Sequence, residues 1–168
     1  MTDITFRQIG VKDLPLVLSL LREAAEKIHR MQIDHWQYWK NPPQEKVLWI
    51  EEGIKNGEFF FVDDHANNNI GMVRMLREDL LYWGKQKDKA IYVHSLIVKE
   101  AYNGKGIGQR ILEEIAHKAK NKDCQYLRLD SDSKNPKLCK YYENLGFMKV
   151  EVIDLPLSRY NLYERKVQ

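Results

Sequence analysis

Apolar and polar residues alternate through "ITFRQI" (4–9), the period of a half-buried strand. Asp13 then reads as a helix cap, with Pro15 in the first turn and Leu16, Leu20, Leu21, Ala24 and Ile28 at helical spacing up to about Arg30. An aromatic segment, "MQIDHWQYWKNPP", is broken by Pro42 and Pro43, and "QEKVLWIEEGIKNG" predicts a second helix stopped by Gly57. "EFFFVDD" and "IGMVRMLRE" predict two strands joined by a turn in "HANNN", and "DLLYWGKQKDK" predicts a loop. "AIYVHSLIV" (90–98) is apolar on both faces except at His94 and Ser95, as a central strand should be. A glycine-rich turn and a helix follow, then strand "YLRLD", loop "SDSKNP", helix "KLCKYYENLG", strand "FMKVEVID" and a last strand in "YNLYERKV". The order β-α-α-β-β-β-α-β-α-β-β predicts an α/β layer architecture with a mixed sheet.

The most informative junction is "NGKGIGQR" (103–110), where the central strand hands over to a helix. Unpaired N–H groups and a partial positive charge at a helix start favour an anion. Glycines at 104, 106 and 108 let the backbone approach one closely, and Lys105 and Arg110 add positive charge. The helix itself is amphipathic, with Ile107, Ile111, Leu112, Ile115, Ala116 and Ala119 on one face. Two familiar phosphate loops do not fit. No Gly-x4-Gly-Lys-Ser/Thr string is present, and the third glycine of Gly-x-Gly-x-x-Gly is missing from either start. On the glycines alone, a phosphate cradle and a merely tight βα turn stay open.

Bulk properties narrow the classes. At 168 residues the chain suits a single domain, 1–168, that can bury its own core. The net charge of +3 is spread out, which argues against a dedicated nucleic-acid binder. No run reaches membrane-span length and no signal pattern opens the chain, so no membrane partner is expected. Cys124 and Cys139 fit neither a disulfide framework nor a zinc site, which points to a cytoplasmic protein with reduced thiols. No metal is expected: "DSDSKN" (130–135) lacks the glycine and glutamate of a calcium loop and reads as solvated loop, and His29 and His35 have no partner at ligand spacing. Cys139 reads as a packed side chain.

Farther along, "NPKLCKYYENLGF" (135–147) follows "HSLIV" and "NGKGIG" in the same chain. Together these stretches resemble the GNAT superfamily of acyl-CoA N-acyltransferases, in which a strand runs into a glycine turn and helix, and a later strand into Asn-x-x-Ala-x-x-Leu-Tyr-Glu-x-x-Gly-Phe. The resemblance implies a GNAT-like single domain with a mixed, mostly antiparallel sheet of about six or seven strands flanked by helices on both faces. It implies acetyl-CoA as cosubstrate and an amine acceptor, small molecule or peptide, with homodimerisation plausible on the same ground. Leu96, Ile97 and Val98 would offer backbone groups to the pantetheine arm, which joins the sheet like an added strand. The amides of Gly104, Lys105, Gly106, Ile107, Gly108 and Gln109 would surround the pyrophosphate. Asn135 would bond the pantetheine, and Tyr142 would stand near the sulfur. Asn103 departs from the usual Arg or Gln, and Leu138 from a small residue.

Acyl transfer to an amine needs a neutral nucleophile, an oxyanion donor and a proton for the thiolate. Strand alternation puts Tyr92, His94, Leu96 and Val98 on one face, making His94 (or a water) the candidate base. A bulge would free the amide of Ile97 or Val98 for the oxyanion. Tyr141 and Tyr142 are equivalent on helical spacing alone; the family spacing selects Tyr142 as acid. A phenol is a weaker acid than a thiol, so this transfer needs help from a helix terminus or a cation. Trp36, Tyr38, Trp39, Tyr82 and Trp83 either wall an acceptor cleft or pin irregular segments to the core, while Glu78 and Asp79 could attract an ammonium group. The expectation is an acetyl-CoA-dependent N-acetyltransferase. The alternatives are a non-catalytic acyl-CoA-binding regulatory module and, less consistent with the motifs, a nucleotide- or nucleic-acid-binding domain.

Overall fold

The computed structural model describes residues 3–167. Among them, seven strands form one mixed sheet in the order β1-β2-β3-β4-β5-β7-β6. The strands are β1 (Ile4–Gln8), β2 (Phe59–Asp64), β3 (Asn69–Leu76), β4 (Ala90–Val98), β5 (Tyr126–Asp132), β6 (Met148–Leu155) and β7 (Ser158–Lys166). The helices are α1 (Leu14–Arg30), α2 (Gln44–Lys55), the single turn α3 (Leu80–Trp83), α4 (Ile107–Asn121) and α5 (Pro136–Asn144). The predicted order holds, with one addition: α3 lies inside the segment expected to be loop.

The chain divides into two compact units, one running up to Arg74 and resuming over Ser95–Gly108, the other comprising Met75–His94 and the chain from Gln109 onward. In the first, α1 contributes Val17, Leu20, Leu21 and Ala25 and α2 contributes Ile50 and Ile54 to a core with Phe59, Phe61, Met72, Ile97 and Trp39. Leu16, expected on that stripe, is exposed, because the buried face is centred one residue further on. Asp13 stands at the N-cap position of α1, as expected, but its side chain makes no capping bond there. It closes a preceding 3-10 turn (Val11–Asp13), its Oδ2 accepting the Gly10 N–H at 3.0 Å. On β3, Gly71 is needed for a close approach: a Cβ there would run into the Ile97 carbonyl oxygen of β4.

In the second unit, β4 pairs with β5 in parallel from Ala90↔Tyr126 to Val93↔Leu129. β5 pairs antiparallel with β7, and β7 with β6. Ile111, Leu112, Ile115 and Ala119 of α4 are fully buried, as the sequence pattern requires. A second apolar cluster gathers Trp83, Ala90, Tyr92 and Leu162. Arg128 is buried against it, its guanidinium 4.9 Å from the ring centres of both Trp83 and Tyr126 and bonded to Tyr92 Oη and Glu164. β5 continues two residues past its expected end: Ser131 and Asp132 are buried strand residues, not solvated loop. The cause is cross-strand pairing with Asn161 and Tyr160, which the local sequence does not reveal.

Candidate active site

Ser95, in the middle of β4, has φ 49°, a left-handed conformation that a pleated strand cannot carry through. The alternation expected to put Tyr92, His94, Leu96 and Val98 on one face is therefore interrupted between His94 and Leu96. The break falls two residues before Ile97, the first of the two amides considered for the oxyanion.

His94 stands between two carboxylates. Asp79 occupies the N-cap position of α3, where its Oδ1 accepts the Tyr82 N–H at 3.3 Å. Its Oδ2 lies 2.6 Å from His94 Nε2. On the other side, just past the last β4–β5 pair, Val93↔Leu129, Asp130 Oδ1 lies 3.3 Å from His94 Nδ1. The Tyr82 ring packs against the imidazole, tilted by 50° with 5.1 Å between centres, and Tyr160 meets Tyr82 edge-on at 5.3 Å. All three polar side chains are largely withdrawn from water, with 15% of His94, 7% of Asp79 and 12% of Asp130 exposed. Burial pushes the Asp130 carboxyl up to about 6; His94 pulls against this, while Asp79 and Asp132 add to it. The three ligand-type atoms fall within 4.8 Å of one another. However, two donors about 2.1 Å from one tetrahedral ion would stand roughly 3.4 Å apart. The 2.6 Å contact between Nε2 and Oδ2 is a hydrogen bond, so the trio as it stands is not spaced around one ion.

Tyr142, on α5, is buried, whereas its neighbour Tyr141 is 37% exposed, a distinction helical spacing could not make. Phe147 and Tyr163 pack against the Tyr142 ring. Burial raises the Tyr142 phenol above its ordinary value, and Asp130 and Tyr141 push the same way. The sequence reading looked for a helix terminus or cation to make this phenol more acidic; its surroundings do the opposite and hold it protonated.

After β4, Gly104 and Gly106 have φ 74° and 71°, with open space where a Cβ would stand. Gly108 is different, lying in the first turn of α4. Asn103, Gly104, Lys105, Gly106 and Gln109 are exposed and Ile107 is buried. The turn is thus open and bare, which fits an anionic group. Lys105 Nζ rests 5.3 Å from the Tyr102 ring centre, and Arg110 pairs with Glu114 at 2.9 Å, so the two cations expected beside the turn each have a neighbour. Within residues 96–98, the Ile97 carbonyl faces Gly71 and the Lys99 N–H bonds Ile70 O, so Ile97 is turned to β3. The groups of Leu96 and Val98 point the opposite way, since successive residues of a strand alternate. Asn135 caps α5 with Oδ1 accepting the Leu138 N–H at 3.1 Å, and Pro136 begins the helix, both as the sequence implies.

The acceptor residues fall into different roles. Trp39 is buried in the first core and Trp36 packs against it, stacked on His35; Trp83 is buried in the second cluster. These three follow the core-pinning alternative. Tyr82 covers His94, and Glu78 is exposed. Asp79 is taken up by His94 and the α3 cap. Cys139 is packed, with Sγ 3.6 Å from Ser131 Oγ and Asn161 Nδ2 3.4 Å away. Sequence reasoning missed Asp130, whose signal was its place at the end of a strand parallel to the one bearing His94.

Residues 25–147 match the Acetyltransferase (GNAT) family. Thialysine N-epsilon-acetyltransferases from Bos taurus and Sus scrofa are 37% and 38% identical over 60 and 56 residues, covering 36% and 33% of this chain. These matches span about a third of the length of either relative, 35% and 33%. A GNAT-family acetyltransferase structure from Listeria monocytogenes superposes with a TM-score of 0.76 at 18% identity, covering 97% of this chain and 94% of that one. A chimeric spermidine N-acetyltransferase from Vibrio cholerae superposes at 0.65 and 17% identity, covering 97% and 95%. On the extent of the family match and a fold shared over nearly the whole chain, this protein belongs to the GNAT family of acetyltransferases.

Proposed function

We propose that the chain transfers the acetyl group of acetyl-CoA to a primary amine carried by a small molecule or a peptide. The observation that carries this is the run from His94 to α4, in which a carboxylate-flanked imidazole is followed along the chain by a left-handed serine and an open glycine turn. Family membership supplies the cosubstrate class, and the bare backbone at Gly104 and Gly106 suits a diphosphate. In this reading, Leu96 and Val98 bond the pantetheine. The amides of residues 104–109 hold the diphosphate, with Asn103 beside them, and Asn135 contributes through its Nδ2.

The amine must lose a proton before it attacks, since only about one part in a thousand is neutral near pH 7. His94, directly or through a water, takes that proton, and the Val98 N–H stabilises the oxyanion. Tyr142 delivers a proton to the departing thiolate. Because its surroundings favour the phenol, this step is uphill until charge builds on sulfur. The thialysine and spermidine enzymes named above act on amines, which supports the acceptor class proposed here. A CoA-binding module without chemistry would bind the cofactor but release no thiol.

The test has two parts. Unfolding is followed with acetyl-CoA, ATP and NAD; a ligand at a hundred times its Kd adds about 2.7 kcal/mol of stability. Thiol release is then measured against a panel of lysine, spermidine and short peptides. Stabilisation by acetyl-CoA with amine-dependent thiol release is expected. No stabilisation by any CoA species overturns the reading, and stabilisation without release against any amine leaves a binding module.

A further inference from the structure

We infer that Asp130 is a positioning residue for this reaction: with Asp79 it fixes which nitrogen of His94 is basic, and it shares the proton that nitrogen takes from the amine. The inference rests on the proposed acetyl transfer and names a residue which that reading does not use.

Asp79 lies 2.6 Å from Nε2, and a carboxylate at that distance accepts a hydrogen bond from Nε2–H. Nε2–H is therefore fixed, and Nδ1 is the titrating nitrogen. That nitrogen is directed not at open solvent but at Asp130 Oδ1, 3.3 Å away. With no proton between them, a nitrogen lone pair and a carboxylate oxygen would confront each other in a site largely closed to water. Asp130 Oδ1 is buried and makes no hydrogen bond. One added proton resolves both conflicts, as imidazolium against carboxylate or imidazole against carboxylic acid. Nδ1 and Oδ1 therefore titrate as a pair, and the pair is a stronger base than His94 alone.

Of the groups facing the pair, the two carboxylates disfavour a further negative charge and the tyrosine rings close the site around it. Asp79 and Tyr82 come from the α3 segment, Asp132 from β5 and Tyr142 from α5, with Tyr160 of β7 behind Tyr82. The pair's proton demand is thus met by the incoming ammonium. The step balances as follows in atoms and charge. The ammonium proton passes, directly or through one water, to the Nδ1–Oδ1 pair. The amine nitrogen bonds the acetyl carbon and the C–S bond breaks. The Tyr142 hydroxyl proton goes to sulfur, and the proton still carried by the new amide nitrogen, or that held by the pair, restores the phenol. One proton is released to solvent per amide formed from an ammonium. Protonating the pair also removes the negative charge beside Tyr142, so proton uptake on one side eases donation on the other.

The test follows the His94 ring by nitrogen NMR in the full-length protein labelled at histidine, its signal among the five histidines assigned from its absence in His94→Gln. Asp130→Asn is expected to let the ring lose its proton at lower pH than the parent, and Asp130→Glu to restore the parent's behaviour in part. Kinetics with acetyl-CoA and the best amine of the panel should show kcat at least tenfold lower in Asp130→Asn, its acidic limb moved to lower pH and the KM for acetyl-CoA unchanged. An identical His94 titration in all three proteins overturns the inference. A shifted titration in a protein that acetylates no amine sinks the acetyl-transfer reading but leaves the shared proton standing. Should Asp130→Asn fail to fold, Asp130→Glu alone decides by whether the titration moves.

Discussion

His94 Nε2 and Asp79 Oδ2 are 2.6 Å apart, although fifteen residues separate them along the chain. The contact exists because Asp79 starts a single helical turn where the sequence shows only loop signals, and its two oxygens serve the cap and the imidazole. Replacing Asp79 with Asn keeps an oxygen for the cap but allows the amide to present N–H to Nε2, reversing the tautomer. The expected result is a kcat lower by about a hundredfold with acetyl-CoA affinity unchanged, read by steady-state kinetics and calorimetry. Loss of CoA binding in parallel with kcat would instead mark Asp79 as a purely structural cap.

Tyr142 sits in an aromatic nest with Tyr141, Phe147 and Tyr163, so its ring contributes packing whatever its hydroxyl does. Tyr142→Phe preserves that packing and removes only the hydroxyl. Acetylation should slow by one to three orders of magnitude, while melting temperature and CoA affinity barely change. Tyr141→Phe, altering a half-exposed neighbour, should leave the rate within about twofold. A fully active Tyr142→Phe protein removes this residue from the mechanism.

The elements of the fold were legible because their signals are local. The stripe along α4 and the Asn135–Pro136 start of α5 need no distant partner to be recognised. What escaped depends on pairing. Ser131 and Asp132 look like loop residues until β7 is laid against them, Asp130 looks like an ordinary strand end, and Asp79 looks like a surface acid until His94 reaches it. Ser95 is a similar case: nothing in "HSLIV" announces a left-handed serine. His94 was found by its polarity in an apolar strand, but its two carboxylate partners come from segments with no such contrast.

Two kinds of glycine should respond differently to alanine. Gly104 has positive φ but open surroundings, so Gly104→Ala costs only backbone strain of about 1 kcal/mol. Its main effect should be on the cosubstrate: a methyl group in the turn keeps the diphosphate from the amides, and the KM for acetyl-CoA should rise about tenfold or more. Gly71→Ala drives a Cβ into the Ile97 carbonyl and forces β3 and β4 to shift, so it should cost about 2 to 3 kcal/mol of stability. Denaturant melts and CoA titrations of the two variants separate the cases. A Gly104→Ala protein with unaltered CoA affinity would argue that the turn does not touch the diphosphate.

Asp130 makes stability depend on pH in a definite direction. Burial holds its proton in the folded state up to about pH 6, whereas an unfolded chain releases it near pH 4. Between these values the folded protein binds more protons than the unfolded one, so this group's contribution falls as pH rises and is fully lost above about pH 6. The loss is on the order of 2 to 3 kcal/mol, the free energy of roughly two pH units. Asp130→Asn carries no charge to bury, so it should melt at about the parent's temperature at pH 4 and about 5 °C or more above it at pH 7, following roughly 2 to 4 °C per kcal/mol at this size. The same substitution is expected to slow acetyl transfer, which would mark Asp130 as a residue kept for its proton at the expense of stability. Melting curves at pH 4, 5, 6 and 7 check this, and a variant less stable than the parent throughout that range would show that the buried carboxylate is held by attraction to His94 strongly enough to outweigh its desolvation.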